Sequence, residues 1–401
     1  MRGYDVIVVG GGIVGLSTAW QLLERHPRLK LLLLDKADRL AAHQSGHNSG
    51  VIHAGVYYRP GSLKARFCRE GHRATKALCA AHGIPFVECG KLLVATDAIE
   101  VTRLRQLWER IGANGLEREW LDAAALSARE PAVRGLAAVR VPASAIVDYR
   151  QVCAVMAERL AALGGEIRLG CEVRTLEERA EVVIVESPAG CWQTRRLVAC
   201  AGLQADRLVR LLGIEPGFRI CPFRGEYYRL AARRQGLVSH LIYPVPDPAL
   251  PFLGVHLTRT IDGGITAGPN AVLALAREGY RKRDVSLRDL IDMAGYPGIR
   301  RMLRRHLRAG WDELQHSLCK RGYLALLRKY CPTLELDDLE PHPAGVRAQA
   351  VAADGSLVED FLFVETPRTL HVGNAPSPAA TAAIPIGRHI AERLAERGRL
   401  T

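Results

Sequence analysis

The run Val6-Ile7-Val8-Val9-Gly10-Gly11-Gly12-Ile13-Val14-Gly15 reads as a buried strand, a tight turn and the first turn of a helix. Four β-branched residues supply the strand, and the apolar periodicity of residues 16–25 supplies the helix, which stops before Pro27. Gly10, Gly12 and Gly15 stand at the G-x-G-x-x-G spacing, and each has its own physical task. Gly10 lets the chain turn, Gly12 lets backbone N–H groups approach a pyrophosphate, and Gly15 lets the helix pack close to the strand. Phosphates would sit at the positive end of that helix. A glycine turn alone decides little, so the rest of the unit matters. Leu31-Leu32-Leu33-Leu34 reads as a second buried strand, and Asp35 ends it about 20 residues after Gly15, where a carboxylate accepts ribose hydroxyls. The spacing predicts a dinucleotide site and leaves open whether the nucleotide carries nicotinamide or flavin.

Outward from this unit, the polar run from His43 to Tyr58 alternates short polar side chains and glycine with nothing to bury, the composition of a ligand-binding loop or of a plain connector. Periodicity predicts a helix over 63–82, a strand over 90–96 with a helix to 111, a short helix over 119–130 and a long helix after Asp148. Strands follow over 166–173, 182–186 and 196–201, and Ala201-Gly202 repeats the strand, small-residue turn and helix arrangement. From 219 to about 268 the chain turns β-rich, with strands at 226–230, 242–244, 253–258 and 264–268, and helices follow over 285–330. A last strand, 370–373, leads through a loop to a helix from Pro378 onward, in which Pro385 falls. A nicotinamide domain is normally finished in one block, so these late returns favour flavin. The predicted fold class is α/β (α+β overall), a Rossmann-like domain with a second domain built on an antiparallel sheet flanked by helices. Its parts are 1–85, 145–215 and 340–401 for the dinucleotide domain, and 86–144 and 216–339 for the substrate domain.

The sequence has 401 residues, 48% of them hydrophobic, enough for a large core and two domains. No stretch approaches the about 18 apolar residues of a membrane span, and no signal peptide precedes the first strand, so a cytoplasmic location is expected. Ten scattered cysteines without C-x-x-C or Cys/His spacing predict neither disulfides nor a metal site. The net charge of +13 suits an anionic substrate, an anionic lipid surface or a solvated arginine-rich face. It suits nucleic acid least, since no nucleic-acid signature accompanies it.

The N-terminal motif, Gly46-His47-Asn48-Ser49-Gly50-Val51-Ile52-His53-Ala54-Gly55, the turn Ala201-Gly202, Ala344-Gly345-Val346-Arg347-Ala348-Gln349 and Asn374-Ala375-Pro376-Ser377-Pro378-Ala379-Ala380-Thr381 together resemble FAD-dependent enzymes of the D-amino-acid oxidase superfamily. More narrowly, they resemble its L-2-hydroxyglutarate dehydrogenases, also called oxidases, over essentially the whole chain. The resemblance implies FAD, with Gly10, Gly12, Ile13, Val14, Gly15, Asp35 and Lys36 at its ADP half and backbone contact near Val173. It implies Ser45, His47, Asn48, Ser49, Gly50 and Val51 along the pyrophosphate and ribityl chain, with Ala201, Gly202, Gly345, Arg347, Gly373, Asn374, Ala379, Ala380 and Thr381 closing the site. It also implies oxidation of L-2-hydroxyglutarate, or a close 2-hydroxy acid, to 2-oxoglutarate, with electrons passing to a quinone-linked acceptor or to oxygen. A flavin amine or amino-acid oxidase, and a non-catalytic flavin-dependent binding or tRNA-modification accessory protein, stand as alternatives.

Oxidising a secondary alcohol needs a base for the hydroxyl proton, and histidine suits it. His53, placed by the resemblance beside the isoalloxazine, is the first candidate and His256 its rival. A dicarboxylate needs fixed positive charge in bidentate geometry, for which Arg347 is best placed, with Tyr57 and Arg59 as candidates for the second carboxylate. The stretch from Gly373 to Thr381 can present N–H groups and a helix end to the flavin. Ile299, Met302, Leu303, Leu307, Trp311, Leu314 and Leu318 recur at helical spacing beside five arginines. That pattern suits either a helix on its own domain or one lying peripherally on the cytoplasmic face of the inner membrane.

Overall fold

The computed structural model describes residues 2–248 and 254–396. Strand Arg2–Val9 lies at the centre of an eight-stranded sheet, between Leu31–Leu34 and Gly190–Ala199, both parallel to it. All four residues of Leu31–Leu34 are buried, as a strand covered on both faces must be. Glu166–Arg168 extends one side in parallel; Val183–Ser187 and Thr175–Glu178 add antiparallel edges on the other. Thr369–Asn374 pairs parallel with the end of Gly190–Ala199, so the chain does return late to this sheet. Helix Ile13–Arg25 packs on helices Tyr149–Ala162 and Ala383–Glu396.

The second sheet has nine strands and is antiparallel except where Leu241–Pro244 runs parallel to Lys91–Ala95. Its spine is the long antiparallel pair of Phe218–Leu230 and Leu339–Ala352, joined nearly end to end. Helices Leu287–Gly295, Pro297–Arg305, Leu307–Leu318 and Lys320–Arg328 lie beside it. A three-stranded sheet of Val51–Ile52, Ala145–Val147 and Phe86–Val87, not expected from the sequence, ties the polar loop to the rest.

Several expectations need correction. Residues 119–130 are strand Glu119–Asp122 and then helix Ala123–Arg129, because Asp122 accepts from Ala125 N–H and so caps the helix from inside the expected span. The strand after Gly165 ends at Arg168, and Val173 lies in the irregular connection beyond it. Residues 340–352, assigned to the dinucleotide domain, belong to the second sheet, where their partners on 218–230 lie more than a hundred positions away. Leu253, at the start of one expected strand, lies outside the described residues; that strand is His256–Arg259. The terminal helix starts at Ala383, not Pro378, which puts Pro385 in its first turn, where backbone N–H groups have no intrahelical partner to lose.

The predicted 299–318 helix is two helices meeting at His306. Ile299 and Met302 are buried in a core cluster with Val351 and Phe223, whereas Leu307, Trp311 and Leu318 are 67%, 61% and 72% exposed. One continuous face on the sequence is therefore half core and half surface. Among the described residues no helix is long and apolar enough to cross a membrane.

A buried ion cluster joins the two sheets. Arg277, 1% exposed, binds both carboxylate oxygens of Asp206 on helix Ala205–Arg210 and, at 2.8 Å, Asp292 on helix Leu287–Gly295. Arg207 adds a 2.6 Å contact to Asp289.

Candidate functional site

The glycine turn has the tightness its spacing predicts. Gly10 has φ +119°, and a Cβ on it would stand 2.4 Å from the carbonyl oxygen of Cys200. A Cβ on Gly15 would stand 1.9 Å from the carbonyl oxygen of Gly10, so helix and strand approach as closely as backbone allows. No side chain caps Gly12; the Ile13 N–H donates to Ser45 Oγ at 2.9 Å. Asp35 accepts from the N–H groups of Gly11 and Ala37, which fixes its carboxylate at the end of the second strand.

A cavity of about 690 Å³ opens between this turn and the second sheet, within the range of roughly 300–1,000 Å³ usual for small-molecule and cofactor sites. Of the residues expected at the cofactor, it is lined by Ile13, Val14, Ser45, His47, Asn48, Ser49, Val51, Gly202, Gly345, Arg347, Gly373, Asn374, Ala379, Ala380 and Thr381. Gly10, Gly12, Gly15, Asp35, Lys36, Gly50, Val173 and Ala201 are not on its wall. Lys36 forms an ion pair with Glu278, and Gly50 makes a turn at φ +69°. A smaller cavity of about 490 Å³ lies by Arg39, His47 and Arg150, and no candidate catalytic residue faces it.

His53, His256, Tyr57 and Arg347 line the larger cavity together, although they come from a loop, two strands of the second sheet and widely separated positions. Arg59 does not join them: its side chain is exposed, because the chain turns outward at 59–62 to start helix Leu63–Ala81. Arg347 hydrogen-bonds Tyr227. His256 Nδ1 lies 2.9 Å from Thr258 Oγ1, and its ring stacks on Tyr243 with centroids 3.8 Å apart. Burial pushes the pKa of His53 well below the ordinary imidazole value, and Lys91 and then Arg347 push the same way. His256 is lowered by the same causes, with His53 added. Both imidazoles are therefore neutral at neutral pH, the form that accepts a proton.

The C-terminal loop acts as a clasp and not as the start of a helix. Thr381 Oγ1 accepts from His53 N–H at 3.1 Å and lies 2.9 Å from Tyr149 Oη, while its carbonyl accepts from Thr75 Oγ1. The helix end expected to face the flavin from Pro378 thus begins five residues later. Asn374 Nδ2 donates to the carbonyls of Val358 and Asp360, leaving Oδ1 buried without a partner at the cavity. Tyr57 Oη is likewise buried and unpartnered there. A glycine turn in which an added Cβ on Gly12 would meet only Ser45 Oγ, a carboxylate held at the second strand and two orphaned polar atoms on the cavity wall fit a bound FAD.

Sequence reasoning passed over Tyr243, Tyr227, Gln44 and Lys91. Gln44 Oε1 accepts from Ala348 N–H at 3.0 Å, joining the polar loop to the Arg347 strand. Lys91 carried a signal, as the one charge in the otherwise apolar strand Lys91-Leu92-Leu93-Val94-Ala95.

Residues 5–393 match the model of the FAD-dependent oxidoreductase family. L-2-hydroxyglutarate dehydrogenase of Escherichia coli (strain K12) is 59% identical over 392 residues, covering 98% of this chain and 93% of its own length. The mitochondrial L-2-hydroxyglutarate dehydrogenase of Homo sapiens is 41% identical over 412 residues, covering 98% and 89%. The FAD-bound L-alpha-glycerophosphate oxidase from Mycoplasma pneumoniae superposes with a TM-score of 0.80 over 99% of this chain and 95% of its own, at 23% identity, a likeness of fold.

Proposed function

The chain belongs to the family of FAD-dependent oxidoreductases, and from that premise we propose that it oxidises the 2-hydroxyl of L-2-hydroxyglutarate to give 2-oxoglutarate. The observation that carries the proposal is the meeting of His53, His256 and Arg347 in the cavity lined by the Ile13 turn and the 44–51 loop, in a chain whose whole length matches dehydrogenases of that name.

FAD, when bound, supplies the acceptor for the hydride leaving C2. The N-terminus of helix Ile13–Arg25 would hold its pyrophosphate, Asp35 its ribose, and the loop from Ser45 to Val51 its ribityl chain. Arg347 binds the carboxylate next to the reacting carbon through its planar fork, which fixes the substrate's face. That carboxylate also offsets one of the cations that lower His53, so substrate binding raises the basicity of the imidazole where it is needed. A ring nitrogen of His53 then takes the hydroxyl proton as the hydride departs. His256 is the second candidate for that proton.

Electrons pass on to a quinone-linked acceptor or to oxygen. The exposed Leu307, Trp311, Leu314 and Leu318, with Arg304, Arg305 and Arg308 alongside, support peripheral contact with the anionic cytoplasmic face of the inner membrane, where quinones reside. An anaerobic panel of D- and L-2-hydroxy acids tests the reaction. Bleaching of the visible flavin absorbance by L-2-hydroxyglutarate, with 2-oxoglutarate formed, is the expected result. Bleaching by amino acids with release of ammonia, or by none of the panel, overturns the proposal.

A further inference from the structure

Lys91 is 1% exposed, and among the described residues no carboxylate pairs with it. Its Nζ lies 3.9 Å from the ring centroid of Tyr243 and 5.3 Å from that of Tyr57, so aromatic faces help offset its charge. His256 stacks on Tyr243 at 3.8 Å with the planes 10° apart. Two groups less than 4 Å from one centroid cannot share a face, so ammonium and imidazole sandwich the phenol ring. Tyr57, Tyr243 and His256 line the cavity, which puts Lys91 one side-chain layer behind its wall.

A buried ammonium without a carboxylate is costly, and an anion arriving nearby relieves that cost. Two cations act on both histidines of the cavity. Arg347 contributes one positive charge from strand Leu339–Ala352, Lys91 a second from Lys91–Ala95, and the two histidines are neutral. The titratable neighbours of Lys91 itself are thiols and phenols, Cys68 and Cys89 among them, that stay uncharged, while Lys64, Arg103, Arg110, Asp247 and Glu359 also line the cavity, Arg103 paired with Asp247 at 3.1 Å.

We propose that Lys91 is the specificity-determining residue for the second carboxylate of the substrate, its buried charge behind Tyr57 and Tyr243 making the cavity a site for a dianion in preference to a monoanion. The inference rests on the substrate class proposed above and adds the residue that reads it. Burial lowers the pKa of Lys91 to about 7, against the pull of Cys68 and Cys89. The preference for a dianion therefore weakens as the pH rises through neutrality, when the ammonium loses its proton.

The test uses the FAD-loaded enzyme and two unreactive acids of similar length, glutarate and butyrate. Their dissociation constants are read from perturbation of the flavin spectrum on both sides of neutrality. The wild type is expected to bind glutarate at least tenfold more tightly than butyrate, and less selectively at high pH. Lys91→Gln and Lys91→Met should each abolish the selectivity and its pH dependence while leaving butyrate binding within about threefold, and Lys91→Arg should restore part of it. In turnover, the same variants should raise KM for L-2-hydroxyglutarate with little change in kcat. Flavin content and thermal midpoint identify a variant that has failed to fold, and the other neutral variant then decides. Equal losses for both acids, selectivity retained in both neutral variants, or no selectivity in the wild type overturns the inference. Selective glutarate binding without oxidation of L-2-hydroxyglutarate would overturn the proposed reaction and leave the role of Lys91 standing.

Discussion

The backbone N–H of His53 donates to Thr381 Oγ1 at 3.1 Å, across 328 positions of sequence. The backbone of the candidate base is thereby held by the C-terminal loop. His53→Ala should lower kcat by about 10²–10⁴-fold, the usual worth of a positioned general base, with flavin content unchanged. Near-normal turnover in that variant transfers the role to His256, whose own alanine variant then shows the loss.

Arg347→Lys keeps the charge and loses the fork. The KM for L-2-hydroxyglutarate should rise roughly 10–100-fold, the equivalent of about 1.5–3 kcal/mol for a charge-assisted hydrogen bond. Steady-state kinetics with unchanged KM would remove Arg347 from substrate binding.

Gly15→Ala puts a methyl group 1.9 Å from a backbone oxygen. Neither partner is a flexible side chain, so the helix must move off the strand. The variant should be recovered without flavin or in aggregates, and a soluble yellow protein with wild-type FAD content would contradict the packing described.

His371 is 1% exposed on strand Thr369–Asn374, and burial lowers its pKa to about 4 from an ordinary value of 6.5. The unfolded chain binds a proton there below about 6.5, whereas the folded protein does not until about 4. Stability therefore rises with pH across that window and is lost as pH falls through it, by up to about 3 kcal/mol from this one group. Thermal melts at descending pH should show the decline, and His371→Gln should flatten part of it. An identical pH slope in the variant would exclude His371 as a contributor.

Leu307 and Trp311 stand exposed beside arginines. Replacing both by Glu should abolish cosedimentation with anionic liposomes at low salt while leaving oxidation of L-2-hydroxyglutarate with a soluble acceptor intact. Equal sedimentation of the wild type and the double variant would separate this face from any membrane.

The parts of the structure legible in the sequence are those fixed by near neighbours. Gly10, Gly15 and Asp35 announce their unit because turn, close approach and strand end all lie within one short stretch. The polar loop after Asp35 is legible for the same reason, since nothing in it can be buried. Leu339–Ala352 misleads because a strand's sheet is chosen by its partner, here more than a hundred residues upstream. Arg59 misleads because a one-turn change of direction at 59–62 sends it to solvent, and no local pattern records that turn's sense. Lys91 was visible as an oddity, but its meaning depends on Tyr57, Tyr243 and His256, which reach it from other elements.

Arg277, locked between Asp206 and Asp292, sets a limit on how the enzyme can trade product for substrate. Moving the two sheets apart would part Arg277 from Asp206 and break a buried bidentate ion pair, although Asp292 would stay with it, so a clamshell swing is a poor route for each cycle. The Arg103–Asp247 pair on the cavity wall, 3.1 Å apart and about one-third exposed, is by contrast an ion pair that can break and re-form at small cost.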